Sequence, residues 1–205
     1  MTNFTKERDI IKKFIGEGPL QKKLEKDQRN LKILSEGDLQ SCVYFHLRKF
    51  IDKKKEKKKF VEPWYLTNKL PMGKQRKDKI FPDIVIMRMK KKGSVIKPVF
   101  LIELKEHSKY NPQSVRSDLQ KLAKAFLWRD LEQSYFILAA PDEDIDSKTI
   151  SQKMEIIRNQ VLERNSRRDK IIPIPVNAIN TMKGSEYKKW ESNYKKLRKP
   201  KSLRK

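Results

Sequence analysis

The sequence predicts an α/β fold in which a mixed β-sheet is flanked by helices. Apolar residues recur at helical spacing before residue 51, whereas beyond residue 63 they gather into short runs typical of strands. Two further helical stretches separate the later runs, as expected of strands that are joined by helices. Hydrophobic and charged residues each make up 37% of the 205 residues, so we expect a modest core under a heavily charged surface.

The predicted elements follow from local signals along the chain. Residues 4–32 are expected to form one or two helices, with a break at Gly16–Pro19. Ser35 and Asp38 are spaced as in a capping box, which predicts that a stronger helix begins there. The later elements are predicted as strands at Trp64–Leu70, Ile80–Met89 and Val99–Lys105, a helix at Ser114–Leu131, a strand at Tyr135–Ala140, a helix at Ser147–Arg164 and a strand at Ile171–Val176. We therefore divide the chain into an N-terminal helical extension (1–32), a central domain (33–178) and a basic C-terminal tail (179–205).

The charge balance indicates a polyanionic partner. The net charge is +24, and the segment from Lys183 to Lys205, with ten Lys or Arg and two Glu, holds +8 of it. The remaining +16 lies in the rest of the chain, so the charge is not confined to a tail. Nucleic acid is the leading partner, with DNA favoured over RNA. An anionic membrane surface and a structural role in a ribonucleoprotein are the alternatives.

Several classes of protein are disfavoured. The single cysteine, Cys42, cannot form an intramolecular disulfide, which fits a reducing compartment. No apolar run approaches the roughly 20 residues that span a bilayer, and the N-terminal residues lack the apolar segment of an export signal. We expect a cytoplasmic protein without a membrane segment.

Three ionisable residues are expected to converge at the end of two apolar strands. If Gly93 is the apex of an antiparallel hairpin, paired residues have numbers that sum to about 186, which places Asp83 opposite Glu103. Directly opposed β-carbons lie roughly 4.5 to 5.5 Å apart. Side chains alternate along a strand, so Glu103 and Lys105 share one face. Such a buried cluster is costly unless it is paired or binds a metal ion.

The chemistry of this cluster suits phosphodiester hydrolysis. Two carboxylates with open water positions favour Mg²⁺ or Mn²⁺. The metal ion can activate water and stabilise charge on a phosphate. A neighbouring lysine can orient the attacking water, take its proton or offset negative charge. The alternative is an aspartate at a strand entrance and a surface Glu-x-Lys pair that have no shared role.

These residues resemble the signature of the PD-(D/E)XK nuclease superfamily, which includes restriction endonucleases, archaeal Holliday-junction resolvases and RecB-type nuclease domains. Pro82-Asp83 precedes Glu103-Leu104-Lys105, and an acid-headed helix that begins at Glu36 lies upstream. The similarity covers roughly Ser35 to Ala140. It implies a restriction endonuclease-like core of the order α-β-β-β-α-β.

The resemblance also implies the roles of individual residues. Asp83 and Glu103 would bind the metal together with the backbone carbonyl of Leu104, Lys105 would be the catalytic lysine, and Glu36 an auxiliary acid, with Asp38 as its substitute. The implied activity is that of a Mg²⁺-dependent DNA endonuclease, and by analogy a homodimer. The alternative is a nucleic-acid-binding module that keeps the fold but does not cut.

Other residues are candidates for contact with nucleic acid. The predicted helix after the strand of Glu103 and Lys105 carries four polar residues that can face a phosphate backbone or solvent: Arg116, Gln120, Lys121 and Lys124. His107 is either a phosphate contact or an exposed loop residue. The tail, with Tyr187, Trp190 and Tyr194 among its lysines, is predicted to contact nucleic acid, the alternative being a disordered end.

A zinc site is disfavoured. Cys42 and His46 lie four residues apart on one predicted helix, which is the spacing of half a zinc site. A structural site needs four ligands, and the chain offers only His107 as a third of this kind. We expect Cys42 and His46 to be a buried or partly buried pair.

Overall fold

The computed structural model describes residues 3–60, 64–69, 81–90, 94–106, 111–125, 131–140, 147–162, 170–179 and 182–198. The helices are α1 (Asn3–Gly16), α2 (Pro19–Arg29), α3 (Glu36–Glu56), α4 (Pro112–Ala125), α5 (Ser147–Leu162) and α6 (Gly184–Arg198). The strands are β1 (Trp64–Asn68), β2 (Ile84–Lys90), β3 (Ser94–Glu106), β4 (Gln133–Ala139) and β5 (Ile171–Val176). No helix within these ranges is long and apolar enough to cross a membrane.

The five strands form one mixed sheet in the order β1-β2-β3-β4-β5. The first three strands are antiparallel neighbours, whereas β3, β4 and β5 are parallel. The parallel strands are joined through α4 and α5, as parallel pairing requires a crossover. The predicted α/β class, with a mixed sheet flanked by helices, is therefore confirmed.

Helices cover both faces of the sheet, so its strands are apolar on both sides. Ile84, Phe100 and Ile102 belong to a core shared with α1, α2 and α3. Val85 and Leu101, their neighbours in sequence, belong to a second core shared with α4 and α5. This alternation means that odd-numbered residues at the end of β3 face α4.

The register between β2 and β3 agrees with the predicted hairpin. Ile84 pairs with Ile102 and Val85 with Leu101, so the paired numbers sum to 186. A register shift follows after Ile86, farther from the predicted site. Gly93, the predicted apex, lies outside the described residues, as do Leu70, Ile80, His107 and Arg164.

The predicted helix Ser114–Leu131 extends too far. In the structure α4 ends at Ala125, and Leu131 lies in the extended segment that leads into β4. The backbone N–H of Glu132 donates to the carbonyl of Val99, at 2.9 Å, so the chain is already paired with β3 at this point. At Glu132 pairing with β3 thus takes the place of the predicted helix end, and residues 126–130 lie outside the described residues.

The N-terminal helices are part of the main core. Ile11, Ile15, Leu20 and Leu24 are fully buried in the core that also contains Phe100 of β3. The boundary predicted at residue 32 stays a prediction, but the two helices before it pack directly against the sheet.

The C-terminal helix α6 is anchored by its aromatic residues. Trp190 donates from Nε1 to the carbonyl of Gln28 at 3.1 Å, and Tyr194 donates from its hydroxyl to Glu106 Oε1 at 3.0 Å. Arg198 donates to Glu106 Oε2 at 2.7 Å. Trp190 and Tyr194 are buried, so these two side chains pack against the rest of the fold, whereas contact between the tail and nucleic acid stays a prediction.

The shared core predicts the effect of a substitution in α2. Leu24→Ala should lower the free energy of unfolding by about 2 to 5 kcal/mol, because a fully buried leucine is lost. Chemical denaturation measures this difference, with Lys23→Ala at the adjacent exposed position as the control. A loss as small as that of the control would mean that α2 does not belong to the core.

Candidate active site

Asp83 and Glu103 lie side by side at the end of the β2–β3 pair. Asp83 directly precedes Ile84, whose partner Ile102 directly precedes Glu103, so the register places the two acids opposite each other. Each residue is only 5% exposed. Their odd numbers place both side chains on the α4 face, which β3 residue Lys105 shares.

Asp83 is held by contacts from three directions. Its Oδ2 accepts the backbone N–H of Leu104 at 2.8 Å, and its Oδ1 lies 3.4 Å from Lys69 Nζ. Its backbone carbonyl accepts from Gln40 Nε2 at 2.9 Å. The carboxylate is thus oriented by β3 and neutralised by a lysine at the end of β1.

Glu103 is a buried carboxyl with one occupied oxygen. Its Oε1 forms an ion pair with Lys121 of α4, whereas the buried Oε2 has no hydrogen-bond partner among the described residues. Burial raises the pKa of this carboxyl to about 7, and the negative charge of Asp83 adds to the rise, although Lys121 opposes it. An unpaired buried oxygen of this kind is energetically costly and suits a site that receives a cation.

Lys105 and Glu36 meet at the same edge of the sheet. Lys105 Nζ lies 3.3 Å from Glu36 Oε2, which brings the first turn of α3 to the end of β3. Partial burial lowers the pKa of the Lys105 ammonium, but the negative charges of Asp118 and Glu36 outweigh burial and raise it above its ordinary value. Lys105 is therefore charged at neutral pH.

Asp38, the alternative candidate for the auxiliary acid, takes part in the N-terminal cap of α3 instead. Its Oδ2 accepts from the backbone N–H of Leu34 at 3.2 Å and from Ser35 Oγ at 2.9 Å. Ser35 Oγ in turn accepts the backbone N–H of Asp38. The predicted cap is confirmed, and Glu36 is the acid of this turn that reaches Lys105.

Helix α4 contributes a further acid, Asp118, that the sequence analysis missed. Burial raises the pKa of its carboxyl although Lys105 and Lys121 oppose the rise, and its Oδ2 is buried without a hydrogen-bond partner in the described part of the chain. Asp118 precedes Lys121 by three residues, so the two share a side of the helix. That spacing, on the helix that packs over Glu103 and Lys105, was the available signal.

The remaining polar residues of α4 lie on a different side. Arg116, Gln120 and Lys124 follow each other at intervals of four residues and are exposed. Arg116 donates to Gln160 of α5 at 2.9 Å. Only Lys121 of the predicted group is brought to the acids, and nucleic-acid contact by the others stays a prediction.

The donor set fits a hard divalent cation. Mg²⁺ is commonly held in proteins by one or two carboxylates and keeps several waters, and Asp83 and Glu103 supply two adjacent carboxylates. These carboxylates form ion pairs with the ammonium groups of Lys69 and Lys121, so their negative charge attracts cations. Within the described ranges, no group of three or more His, Cys, Asp or Glu side chains is arranged to hold a metal ion. The carbonyl of Leu104 stays a predicted ligand.

Cys42 and His46 of α3 both interact with Asp27 of α2. His46 Nε2 lies 2.6 Å from Oδ2 of the buried Asp27. Burial, together with Asp27, raises the pKa of the Cys42 thiol to about 11. The thiol is therefore protonated at neutral pH, and both side chains are partly buried, as predicted.

Comparisons of this chain with known protein families, curated proteins and solved structures found no match.

The buried carboxyl of Glu103 predicts a pH-dependent stability. Its pKa is about 7 in the folded chain against an ordinary 4.5, so the folded state binds more protons between these values and stability falls as pH rises through this window. Glu103→Gln removes the titrating group and should gain stability relative to the parent by on the order of 2 to 3 kcal/mol from pH 4 to pH 8. Urea denaturation across this range measures the difference.

The matched control for this measurement is Glu186→Gln, whose side chain is exposed in α6, so that no burial penalty applies. A difference between parent and Glu103→Gln that does not change with pH would contradict the burial of an ionisable Glu103.

Proposed function

We propose that the chain is a metal-dependent nuclease that hydrolyses phosphodiester bonds, with DNA as the favoured substrate. The observation that carries the proposal is the pair of buried carboxylates, Asp83 and Glu103, beside the charged amine of Lys105. An ion pair that only stabilises the fold does not need a second carboxylate beside the first, because two adjacent negative charges raise the free-energy cost of ionising each of them. The pair is useful where a cation and an anionic substrate arrive together.

The charge of the whole chain supports the same substrate class. The acids of the site lie in a chain of net charge +24, so a polyanion is attracted to the surface while a divalent cation is held locally. The order of α3, β1, β2, β3, α4 and β4 also agrees with the α-β-β-β-α-β order that the resemblance to PD-(D/E)XK nucleases implies. These points support a restriction endonuclease-like core as part of the proposal.

Each residue has a chemical role in this proposal. Asp83 and Glu103 hold the divalent ion, which when bound supplies activation of water and positive charge beside the phosphate. Lys105 offsets negative charge that develops on the phosphate, because its raised pKa keeps it protonated and unsuited to accept a proton. Glu36 positions the Lys105 amine, and Lys69 and Lys121 neutralise the acids when no ion is bound.

Cleavage assays test the proposal. Asp83→Asn and Glu103→Gln should abolish Mg²⁺-dependent cleavage of plasmid and single-stranded DNA, and Lys105→Met should slow it by about a hundredfold or more. Nucleic-acid binding in EDTA should be little changed, because the basic surface remains. The control is Asp9→Asn, a partly exposed aspartate of α1.

Two outcomes would contradict the assignment of the site. Full cleavage by cleanly purified Asp83→Asn would place the chemistry elsewhere. Binding without cleavage of any substrate, with Mg²⁺ or Mn²⁺ present, would indicate a binding module that does not cut.

Metal binding is predicted to stabilise the fold through the same acids. A ligand that binds only the folded state at roughly a hundred times its Kd adds about 2.7 kcal/mol of stability. Thermal unfolding of the parent should therefore shift upward with Mn²⁺ or Mg²⁺, and the shift should be lost in Asp83→Asn. An equal shift in both proteins would show that the ion binds outside the acid pair.

A further inference from the structure

A surface groove of about 790 Å³ runs along α3 and reaches the end of β1. Its lining combines aromatic and basic side chains, including Tyr44, Phe45, Lys49 and Lys53. The groove lies on the solvent side of α3, opposite the buried residues Val43 and Leu47. Phe45, Lys49 and Lys53 are exposed and available to a partner, whereas Tyr44 is partly buried against the core.

The groove adjoins the candidate active site. Gln40 lines the groove, and its side-chain amide donates to the carbonyl of Asp83 at 2.9 Å. Asn68 lines the other wall, and its neighbour Lys69 lies 3.4 Å from Asp83 Oδ1. A chain that lies in the groove is thus led to Asp83.

Phe45 is an exposed aromatic residue on the groove wall. It is 57% exposed, the largest fraction among the exposed large hydrophobic residues described. Lys49 Nζ lies 5.6 Å from the centre of its ring. An exposed ring with a cation beside it can stack with a base while the cation binds a neighbouring phosphate.

The charge of the groove favours an anionic chain. Arg48 is paired with Asp52 at 2.9 Å, so the three lysines of the lining outnumber its one remaining acid, Glu56, and the groove keeps a net positive charge. The groove continues into the segment 53–59, which holds six lysines and one glutamate. Positive charge therefore extends along α3, away from the acids of the site.

We propose that this groove binds single-stranded nucleic acid and guides the strand to Asp83 and Glu103. Guidance of the strand to the two acids rests on the proposed nuclease function, whereas binding of the strand in the groove does not. A single strand exposes its base faces to Phe45, whereas a duplex buries them in its own stack. The volume, which is within the range of sites for drug-sized molecules, suits a short stretch of one strand. The substrates implied are single strands and the single-stranded parts of branched or tailed duplexes.

Binding measurements in EDTA test the groove separately from cleavage. Fluorescence anisotropy with a labelled single-stranded oligonucleotide should show roughly tenfold weaker binding for Phe45→Ala, from the loss of one stacked base. The double variant Lys49→Ala/Lys53→Ala should lower the slope of log K against log salt by about 0.7 for each lost phosphate contact. A blunt duplex of the same length should bind with little sensitivity to Phe45→Ala.

Matched variants control for general effects. Ile156→Ala removes a similarly exposed apolar side chain from α5, where the residue is 56% exposed. Lys22→Ala/Lys23→Ala removes two exposed lysines from α2, with the same change in net charge as the groove double variant. Both controls should leave affinity for the single strand closer to that of the parent than the groove variants do.

The outcomes separate the two proposals. Loss of binding in the groove variants, together with no cleavage by the parent, would support single-strand binding in the groove and contradict the nuclease proposal. Cleavage that depends on Asp83, with groove variants that bind and cut single strands like their controls, would contradict only the proposal that the groove binds the strand. Equal loss for single strand and blunt duplex would overturn the single-strand assignment, and competition by a polyglutamate peptide as strong as by the oligonucleotide would indicate an acidic protein partner instead.

Discussion

The hydrogen bond from the Leu104 backbone N–H to Asp83 Oδ2 ties the entrance of β2 to the end of β3, at 2.8 Å. Because the carboxylate of Asp83 is buried, this contact offsets part of its desolvation and fixes its direction. Once Asp83 is fixed, strand register places Glu103 opposite it, and the alternation of side chains brings Lys105 to the same face. The site therefore depends on backbone pairing within the sheet.

The electrostatics of the site are balanced by side chains from surrounding elements. Lys69 comes from the end of β1, Lys121 from α4 and Glu36 from the first turn of α3. The balance is incomplete, since one oxygen of Glu103 and one of Asp118 are buried without hydrogen bonds among the described residues. Buried ionisable groups without partners cost stability, and groups of this kind are concentrated at functional sites.

The sequence was sufficient to predict the parts of the site that depend on periodicity. Strand alternation and the hairpin register place Asp83, Glu103 and Lys105 together without any knowledge of the tertiary structure. Asp118 was missed because its spacing from Lys121 shows only that the two share a side of α4, whereas the side that faces the acids depends on how α4 is rotated over the sheet. The burial of Trp190 and Tyr194 could not be predicted for a related reason, since aromatic residues among lysines look alike whether they face solvent or a neighbouring helix. The end of α4 was misplaced because the pairing of Glu132 with Val99 is a long-range contact.

The contacts of Glu106 have a consequence for how the chain acquires its structure during synthesis. Glu106 directly follows Lys105, and its carboxylate binds Tyr194 and Arg198, which are 88 and 92 positions later in the chain. Closing so long a loop is entropically costly, so these contacts form late. A nascent chain that emerges from the ribosome contains Asp83 and Glu103 well before α6 has been synthesised to support the end of β3. Among the described residues, the contacts that α6 makes with the strand of Glu103 and Lys105 can thus form only after all five strands of the sheet have been synthesised.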